Sequence, residues 1–241
     1  MAFIHGKSAV VLHGAYDLSS YLNNGSASSS VDTNEVTAFG ATAKSFVTGL
    51  KDSTLSASGM FDGSASAVDE VLTASIGSDT LSPITFGSGG VTIGSRVVLL
   101  QGKTKSYSVT APVGDVVSVS YEAQSDGGND HGISLCSLAS ISATTNSTGQ
   151  DNTASTANGG IAQLHVTVNS RSANSTIKVQ HSSDNSTWAD LATFTVVATT
   201  VTTSERVTVA TGTTVNRYLR AQNTLTAGSG SITYQVSFAR R

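Results

Sequence analysis

The polar residues that come nearest to a reactive cluster lie in the segment QSDGGNDHG, residues 124–132. It brings together Asp126, Asp130 and His131, whose oxygen and nitrogen atoms could bind a cation. The segment lacks the full set of ligand positions and the distal glutamate of an EF-hand loop. Its glycines favour a turn between two parts of the chain, and no metal site is predicted.

The other reactive residue types are scattered through the sequence. No histidine has metal-ligand spacing with a cysteine or an acid. Cys136 is the single thiol, and it has no basic neighbour in the sequence that would activate it. Asp69 and Glu70 are adjacent on a predicted helix, so they diverge and cannot act as a paired acid and base. The sequence predicts no catalytic residue, no enzyme and no cofactor. The five histidines are His5, His13, His131, His165 and His181.

Composition limits the partners of the chain. The formal net charge of -3 gives no basic footprint for tight binding of nucleic acid. No run approaches the about 20 consecutive apolar residues of a membrane-spanning helix. The first residues, MAFIHGKSAVVLHG, lack the apolar run and cleavage site of a signal peptide. We therefore expect neither a membrane partner nor a secretory leader.

Alternating apolar and polar residues predict that the chain is mostly β. The pattern is clean at Val117–Ala123, Leu164–Val168 and Ile232–Phe238, and it is typical of strands with one buried face. One segment differs, because its apolar residues recur at helical spacing and predict a helix over about 66–76. Ser66 with Asp69 predicts a variant capping box, and Gly77 is placed to end the helix. The apolar helix positions are Val68, Val71, Leu72 and Ile76.

A segment without large apolar residues divides the sequence. Residues 144–160, TTNSTGQDNTASTANGG, have the composition of a linker. We therefore predict an N-terminal β domain at 1–143, which holds the helix, and an all-β domain at 161–241. We expect the linker to be exposed and the two domains to be separable.

The C-terminal part has its own signature, IKVQHSSDNSTWADLATF, residues 177–194. Ile177 and Val179 alternate inward, residues 183–186 form a turn, and Trp188 follows. The pattern resembles the strand–turn–Trp hairpin of β-sandwich modules, including discoidin-like carbohydrate-binding domains and add-on domains of phage virion proteins. It favours Trp188 as the core anchor of a small sandwich, and a glycan contact of Trp188 is the alternative.

An ordered set of motifs then spans roughly residues 1–135. It resembles the tail tube protein family of long-tailed bacteriophages. The resemblance implies an N-terminal tail-tube-type β-sandwich or barrel with one packed α-helix, followed by a C-terminal all-β sandwich. The motifs are His5-Gly6-Lys7, DLSSYLN at 17–23, VTAFG at 36–40, Ala43-Lys44, GLKD at 49–52, SASGMFD at 56–62 and TAPVGDVV at 110–117.

The resemblance also implies a function. The chain would be a structural virion protein, a subunit that assembles into stacked, hexameric rings and forms the conduit for DNA ejection. Its partners would be other copies of itself, the tape measure and the tail terminator, with double-stranded DNA passing without specific binding. It would be made in the cytoplasm of a host bacterium and located in the virion tail. The alternatives are another virion component, such as a head decoration or tail-tip protein, and a carbohydrate-binding or adhesive β-sandwich module.

Residues 24–50 are rich in Ser and Gly and are expected to form a flexible loop that orders on assembly. Within 36–63, the resemblance implies that Phe39 and Phe46 anchor this loop. Each predicted assembly residue also has an alternative, ordinary structural role: it could be a core aromatic, a turn residue or a solvated charge. The predicted assembly residues are Phe39, Lys44, Phe46, Lys51, Asp52 and Phe61.

Overall fold

The computed structural model describes residues 5–241. Its mostly-β architecture confirms the fold class predicted from the alternating patterns. Within the described residues there are fifteen strands and one α-helix, α1, at Val68–Ser75. The strands are β1 Val10–His13, β2 Tyr16–Asp17, β3 Leu22–Glu35, β4 Phe46–Met60, β5 Ser82–Gly87, β6 Arg96–Thr110, β7 Ser118–Ile141, β8 Thr145–Asn146, β9 Gln150–Asp151, β10 Gly160–Asn169, β11 Ser175–Ser182, β12 Ala189–Thr193, β13 Thr203–Val209, β14 Tyr218–Leu225 and β15 Ile232–Arg240.

The larger of the two antiparallel sheets runs through both halves of the chain. Its strand order is β13-β10-β15-β7-β6-β5-β1-β2, and β4 attaches β3 to it. The long strand β7 is the link. Its first part pairs with β4, from Met60↔Ser118 to Thr54↔Gln124, and its last part pairs with β15, from Phe238↔Ile133 onward. The sheet is therefore continuous across the predicted domain boundary.

The smaller sheet has the order β12-β11-β14-β8, with β9 also paired to β14. It packs on β10, β15 and the end of β7, so the C-terminal part is a β-sandwich as predicted. The alternating apolar residues of the two sheets meet between them, because in a strand every second side chain points to the same face. The largest buried side chains of this core include Leu135, Leu164, Ile177, Phe194, Leu219 and Phe238.

The predicted linker at 144–160 is not an open connector. Asn146 and Thr145 of β8 pair with β14 at Gln222 and Asn223, and β9 pairs with β14 as well. Backbone hydrogen bonds hold this segment although it lacks large apolar side chains, because strand pairing needs only the peptide groups. The separability of two domains stays a prediction.

Helix α1 lies at the predicted place and packs three of its four predicted apolar positions on the N-terminal core, whereas Ile76 is exposed. Val68, Val71 and Leu72 are buried against strand residues such as Leu55 and Ile84. The capping box predicted at its start is wrong. Ala67 is the N-cap and makes no side-chain hydrogen bond, whereas Ser66 has a φ of 61° and donates its N–H to the carboxylate of Glu70.

The end of the helix follows the prediction. Ile76 is the C-cap, and Gly77 follows it with a φ of 74°, a backbone conformation that glycine adopts without strain. Asp69 and Glu70 lie in the first turn, where the helix dipole favours acidic side chains. Within residues 5–241, no helix is long and apolar enough to cross a membrane.

Candidate assembly surface

Strands β3 and β4 form a long two-stranded ribbon, which we call the ribbon. They pair from Leu22↔Gly59 to Glu35↔Phe46, so the expectation of a flexible loop over 24–50 is wrong. Ser, Thr and Val suit a strand, and their side chains also pair across the ribbon, as in the 2.7 Å hydrogen bond between the hydroxyls of Ser28 and Thr54. Cross-strand pairing therefore orders the segment within a single chain.

The ribbon leaves the sheet part-way along β7. Its strand β4 pairs with β7 only up to Gln124, and farther on β15 takes the same side of β7. At the transition β7 bulges, because residues 126–128 stand opposite Gln101 alone. Gly127 and Gly128 have φ values of 86° and 85°, which bend the strand. The segment predicted as an inter-domain turn is thus a bulge within one strand.

The far end of the ribbon is exposed and carries several large apolar side chains among polar residues. Every residue from 31 to 50 is exposed, and Phe39 and Leu50 have relative exposures of 110% and 80%. Large apolar side chains grouped on a surface mark interaction sites on soluble proteins. We call this group the tip patch, and its residues are Val36, Phe39, Phe46, Val47 and Leu50.

The ribbon also offers a strand edge. Among the strands of residues 5–241, β3 pairs with β4 alone, so its other side presents N–H and C=O groups to solvent. Such an edge is a template for pairing with another chain. Edge and tip patch together make the ribbon the best candidate in the described structure for contact with a partner.

The predicted assembly residues lie mostly on the ribbon. Phe39 and Lys44 lie in its end turn, and Phe46 begins β4. Lys51 and Asp52 lie farther along β4, where Asp52 accepts a hydrogen bond from the side chain of Gln124. Their role in assembly stays a prediction. The predicted assembly residues did not include Val36, Val47 and Leu50, although Val36 and Leu50 lie in the motifs VTAFG and GLKD.

Lys44 contributes little to the stability of the ribbon end. Its Nζ lies 2.8 Å from a carboxylate oxygen of Glu35, and both side chains are largely exposed. The hydrogen bond from Lys44 holds the pKa of Glu35 below its usual value. Exposed pairs of this kind contribute little, because water and salt screen the two charges. Phe61 lies apart from these residues, directly after the opposite end of β4.

Trp188 is half-buried, so it is not the core anchor that the sequence favoured. The buried aromatic of this region is Phe194. The guanidinium of Arg220 lies over the indole of Trp188 at 4.2 Å from the ring centroid, a cation–π contact. Gly149 is so near that a Cβ there would be 2.9 Å from Cη2 of the indole. A glycan contact of Trp188 stays an untested prediction.

Asp130 is held by two arginines. It forms ion pairs with Arg206, a largely buried side chain, and with Arg241 at 3.1 Å. Arg206 also donates to Oε1 of Gln163 at 3.0 Å. A carboxylate so neutralised is a poor ligand for a cation. In the described part of the chain, no group of three or more His, Cys, Asp or Glu side chains could hold a metal ion.

A buried hydrogen-bond network joins distant parts of the larger sheet. His165 donates from Nδ1 to the carbonyl oxygen of Gly14 at 2.7 Å, which leaves Nε2 to accept from the hydroxyl of Thr85 at 2.8 Å. Gln163 donates to that same hydroxyl oxygen at 2.9 Å. Burial, helped by the nearby His13, lowers the pKa of His165 to about 4, although the hydrogen bond to Gly14 acts in the opposite direction. The ring is therefore neutral at pH 7 and acts as a structural connector.

His13 is the second buried histidine. Its Nδ1 lies 2.7 Å from the hydroxyl of Tyr121, and its Nε2 is buried without a hydrogen-bond partner among residues 5–241. Burial lowers the pKa of His13 to about 4 and raises that of Tyr121. The sequence interpretation placed neither histidine in a network, because their partners are far away along the chain.

Comparison with known proteins finds similarity among solved structures. No family model matches the chain, and no curated protein matches it. One similar solved structure belongs to the virion of a native gene transfer agent particle, with 14% identity and a TM-score of 0.44 over 54% of this chain and 98% of that one. Another is the SPP1 Dit (gp 19.1) protein, a hub adsorption apparatus protein of phages that infect Gram-positive bacteria, with 15% identity and a TM-score of 0.37 over 97% and 99% of the two chains. TM-scores this low give the likeness no weight.

Proposed function

We propose that this chain is a structural subunit of a phage tail tube and that the ribbon is its main assembly element. Copies would join side by side into rings, and the rings would stack into a tube through which DNA leaves the particle. The protein would then reside in the virion tail and have no enzymatic activity. Its partners would be further copies of itself together with the tape measure and tail terminator proteins.

The observation that carries this proposal is the exposed ribbon. An isolated chain would present a free strand edge and the apolar tip patch to water, and both features promote association. Every residue from 31 to 50 remains exposed within the single chain. A second chain that pairs with the strand edge or covers the tip patch would bury these residues and so stabilise the ribbon.

The sequence resemblance points to the same element. DLSSYLN leads into β3, VTAFG and Ala43-Lys44 form the end of the ribbon, and GLKD and SASGMFD belong to β4 and the residues after it. Most motifs that resemble tail tube proteins therefore lie on or beside the ribbon.

The charges suit a conduit through which DNA must slide. Of the 13 Lys and Arg residues in the sequence, seven form ion pairs with carboxylates. Arg171 and Arg240 donate instead to backbone carbonyls. Every cation that contacts a phosphate adds affinity for DNA. Neutralised cations therefore favour passage without specific binding.

The test compares the parent chain with Phe39→Ser. Because Phe39 is fully exposed, the substitution should leave folding unchanged and abolish tubes, as measured by sedimentation velocity and negative-stain electron microscopy at high protein concentration. The matched control is Val168→Ser, which removes another exposed apolar side chain, at 56% exposure, from β10. Tubes of normal length from Phe39→Ser, or a parent chain that stays monomeric at every concentration, would refute the proposal.

A further inference from the structure

A polar cleft of about 460 Å³ lies between the two sheets, near the end of β15. One wall belongs to the larger sheet, where Arg96 of β6 pairs with Ile133 of β7, and Phe238 of β15 flanks Ile133 on its other side. Residues opposite one another in a sheet share a face, so Arg96 stands beside an apolar floor. Strand β9 and the residues after it form the other wall. A cleft of this size suits a small-molecule ligand. We call it the sandwich cleft, and its lining includes Arg96, Ile133, Gln150, Asp151, Asn152 and Arg240.

The charges of the sandwich cleft favour an anion. Asp151 is the one carboxylate of its lining, and Arg217 already holds it through two hydrogen bonds, at 2.7 and 2.6 Å. Neither Arg96 nor Arg240 has an ion-pair partner among residues 5–241. Arg96 is also exposed, so its guanidinium is free to bind a ligand. The cleft therefore attracts a negatively charged group.

Arg240 is a half-buried cation without a countercharge. Its guanidinium donates to backbone oxygens such as the carbonyl of Val215, at 2.8 Å. Burial lowers the pKa of Arg240, because the charged form loses hydration. Asp130, in the neighbouring part of β7, is already shared by Arg206 and Arg241. An anion bound in the sandwich cleft would offset the cost of burying this charge.

The wall opposite Arg96 offers hydrogen-bond acceptors. The side-chain nitrogen of Asn152 donates to the carbonyl oxygens of Gln150 and Arg217, at 3.1 and 3.2 Å, and that of Gln150 donates to the carbonyl of Thr148 at 3.1 Å. Within the described residues, the side-chain oxygens of Gln150 and Asn152 accept no hydrogen bond. Amide oxygens accept hydrogen bonds from hydroxyl groups. The second wall therefore suits a ligand with several hydroxyls.

We propose that the sandwich cleft binds a sugar acid, that is, a sugar ring that carries a carboxylate. The planar guanidinium of Arg96 matches a carboxylate through two parallel hydrogen bonds. The sugar hydroxyls would donate to the amide oxygens of Gln150 and Asn152, and the C–H face of the ring would pack on Ile133. Such a ligand gives the C-terminal sandwich a binding role that tube assembly does not require.

Calorimetric titration of the parent chain with glucuronate tests this role. Glucose, which has the ring without the carboxylate, and acetate, which has the carboxylate without the ring, are the matched ligands. We expect glucuronate to bind at least about tenfold more tightly than either, because it alone engages both the guanidinium and the amide oxygens. Equal affinities for glucuronate and acetate would show that the cleft attracts any anion, and equal affinities for glucuronate and glucose would show that Arg96 recognises no carboxylate. Either result overturns the proposal.

Two variants locate the ligand. Arg96→Gln removes the free guanidinium at an exposed position, so it should weaken glucuronate binding about tenfold while circular dichroism shows unchanged folding. Lys51→Gln is the control, since it removes one positive charge at an exposed position of the ribbon and should bind glucuronate like the parent. Glucuronate that gives no binding heat with the parent chain, or that binds Arg96→Gln as tightly as the parent, refutes the sugar-acid site. Neither result bears on tube formation, which Phe39→Ser tests.

Discussion

At the scale of single residues, two buried histidines link folding stability to pH. His165 and His13 have pKa values of about 4 in the folded protein, against 6.5 for an ordinary histidine. Between pH 6.5 and 4 the unfolded chain binds more protons than the folded one, so stability falls as the pH is lowered through this window. A shift of this size corresponds to about 3 kcal/mol per histidine when fully developed.

Replacing one histidine should reduce this dependence. In His165→Gln one titrating group is gone, and we expect the loss of unfolding free energy between pH 6.5 and 4 to fall by about half. The variant should also be less stable at pH 7, because the contacts with Gly14 and Thr85 are disturbed. Urea denaturation at several pH values measures both effects. An unchanged pH profile would show that His165 does not stay neutral in the folded chain.

Arg171 is a buried cation whose role is to hold a loop. Its side chain is 2% exposed and donates to the carbonyl oxygens of Gly228 and Gly230 at 3.1 and 3.2 Å, and also to that of Thr226. These carbonyls belong to the connection between β14 and β15. The guanidinium provides several donors in a fixed plane, which suits a curved run of carbonyl groups.

Substitution of Arg171 should therefore be costly although the residue is far from the ribbon. Arg171→Met keeps much of the volume but leaves the carbonyls unpaired, and we expect a loss of roughly 3 kcal/mol. Arg96→Met, at an exposed position, is the matched control and should change stability by less than about 0.5 kcal/mol. Thermal unfolding followed by circular dichroism compares the two. Equal melting temperatures would contradict the role given to Arg171.

At the scale of elements, the base of the ribbon depends on one glycine. A Cβ added at Gly59 would lie 2.0 Å from the carbonyl oxygen of Tyr21 and 2.6 Å from the Cα of Leu22. The start of β3 therefore approaches the end of β4 more closely than any side chain permits. This contact fixes the position at which the ribbon joins the sheet.

Gly59→Ala should push the two strands apart at this point. We expect a loss of roughly 2–3 kcal/mol, because the obstructing atoms are backbone and cannot turn away. Gly114→Ala is the control, since a Cβ there meets no atom within 4 Å. Chemical denaturation of both variants gives the comparison. A Gly59→Ala chain as stable as the control would mean that the ribbon base tolerates a shift of the backbone.

At the scale of the whole molecule, proteolysis can locate the most accessible segment. Composition predicts the first cut within 144–160, but strands β8 and β9 tie that segment to β14. The end turn of the ribbon, residues 36–45, has only two backbone hydrogen bonds, from Val36 to Ser45 and from Ala41 to Ala38. We expect a nonspecific protease to cut there first in the monomer, and more slowly in assembled tubes.

Mass spectrometry of the fragments decides between the two sites. A first cut within 36–45 that leaves 46–241 resistant agrees with the continuous sheet. Two resistant fragments that meet within 144–160 would instead support separable domains. The N-terminal fragment would then have to remain folded without β15, although β15 pairs with the last part of β7.

The sequence by itself determined the elements whose pattern is local. The strands expected at Val117–Ala123, Leu164–Val168 and Ile232–Phe238 lie within or overlap β7, β10 and β15, and the helix expected at 66–76 is α1. Alternation with a period of two or 3.6 residues depends only on which side chains lie on one face of an element. Neighbouring residues suffice to reveal it.

Only the tertiary structure decided which elements meet. The alternating pattern along β3 and β4 is too polar to distinguish a loop from a ribbon, and pairing with β7 settles where the ribbon leaves the sheet. The hydrogen bond between His13 and Tyr121 spans 108 positions, and that between Thr85 and His165 spans 80. Such contacts cannot be recognised from the local sequence. The order of the strands in the sheet decides which residues meet, and the neighbouring residues in the chain do not.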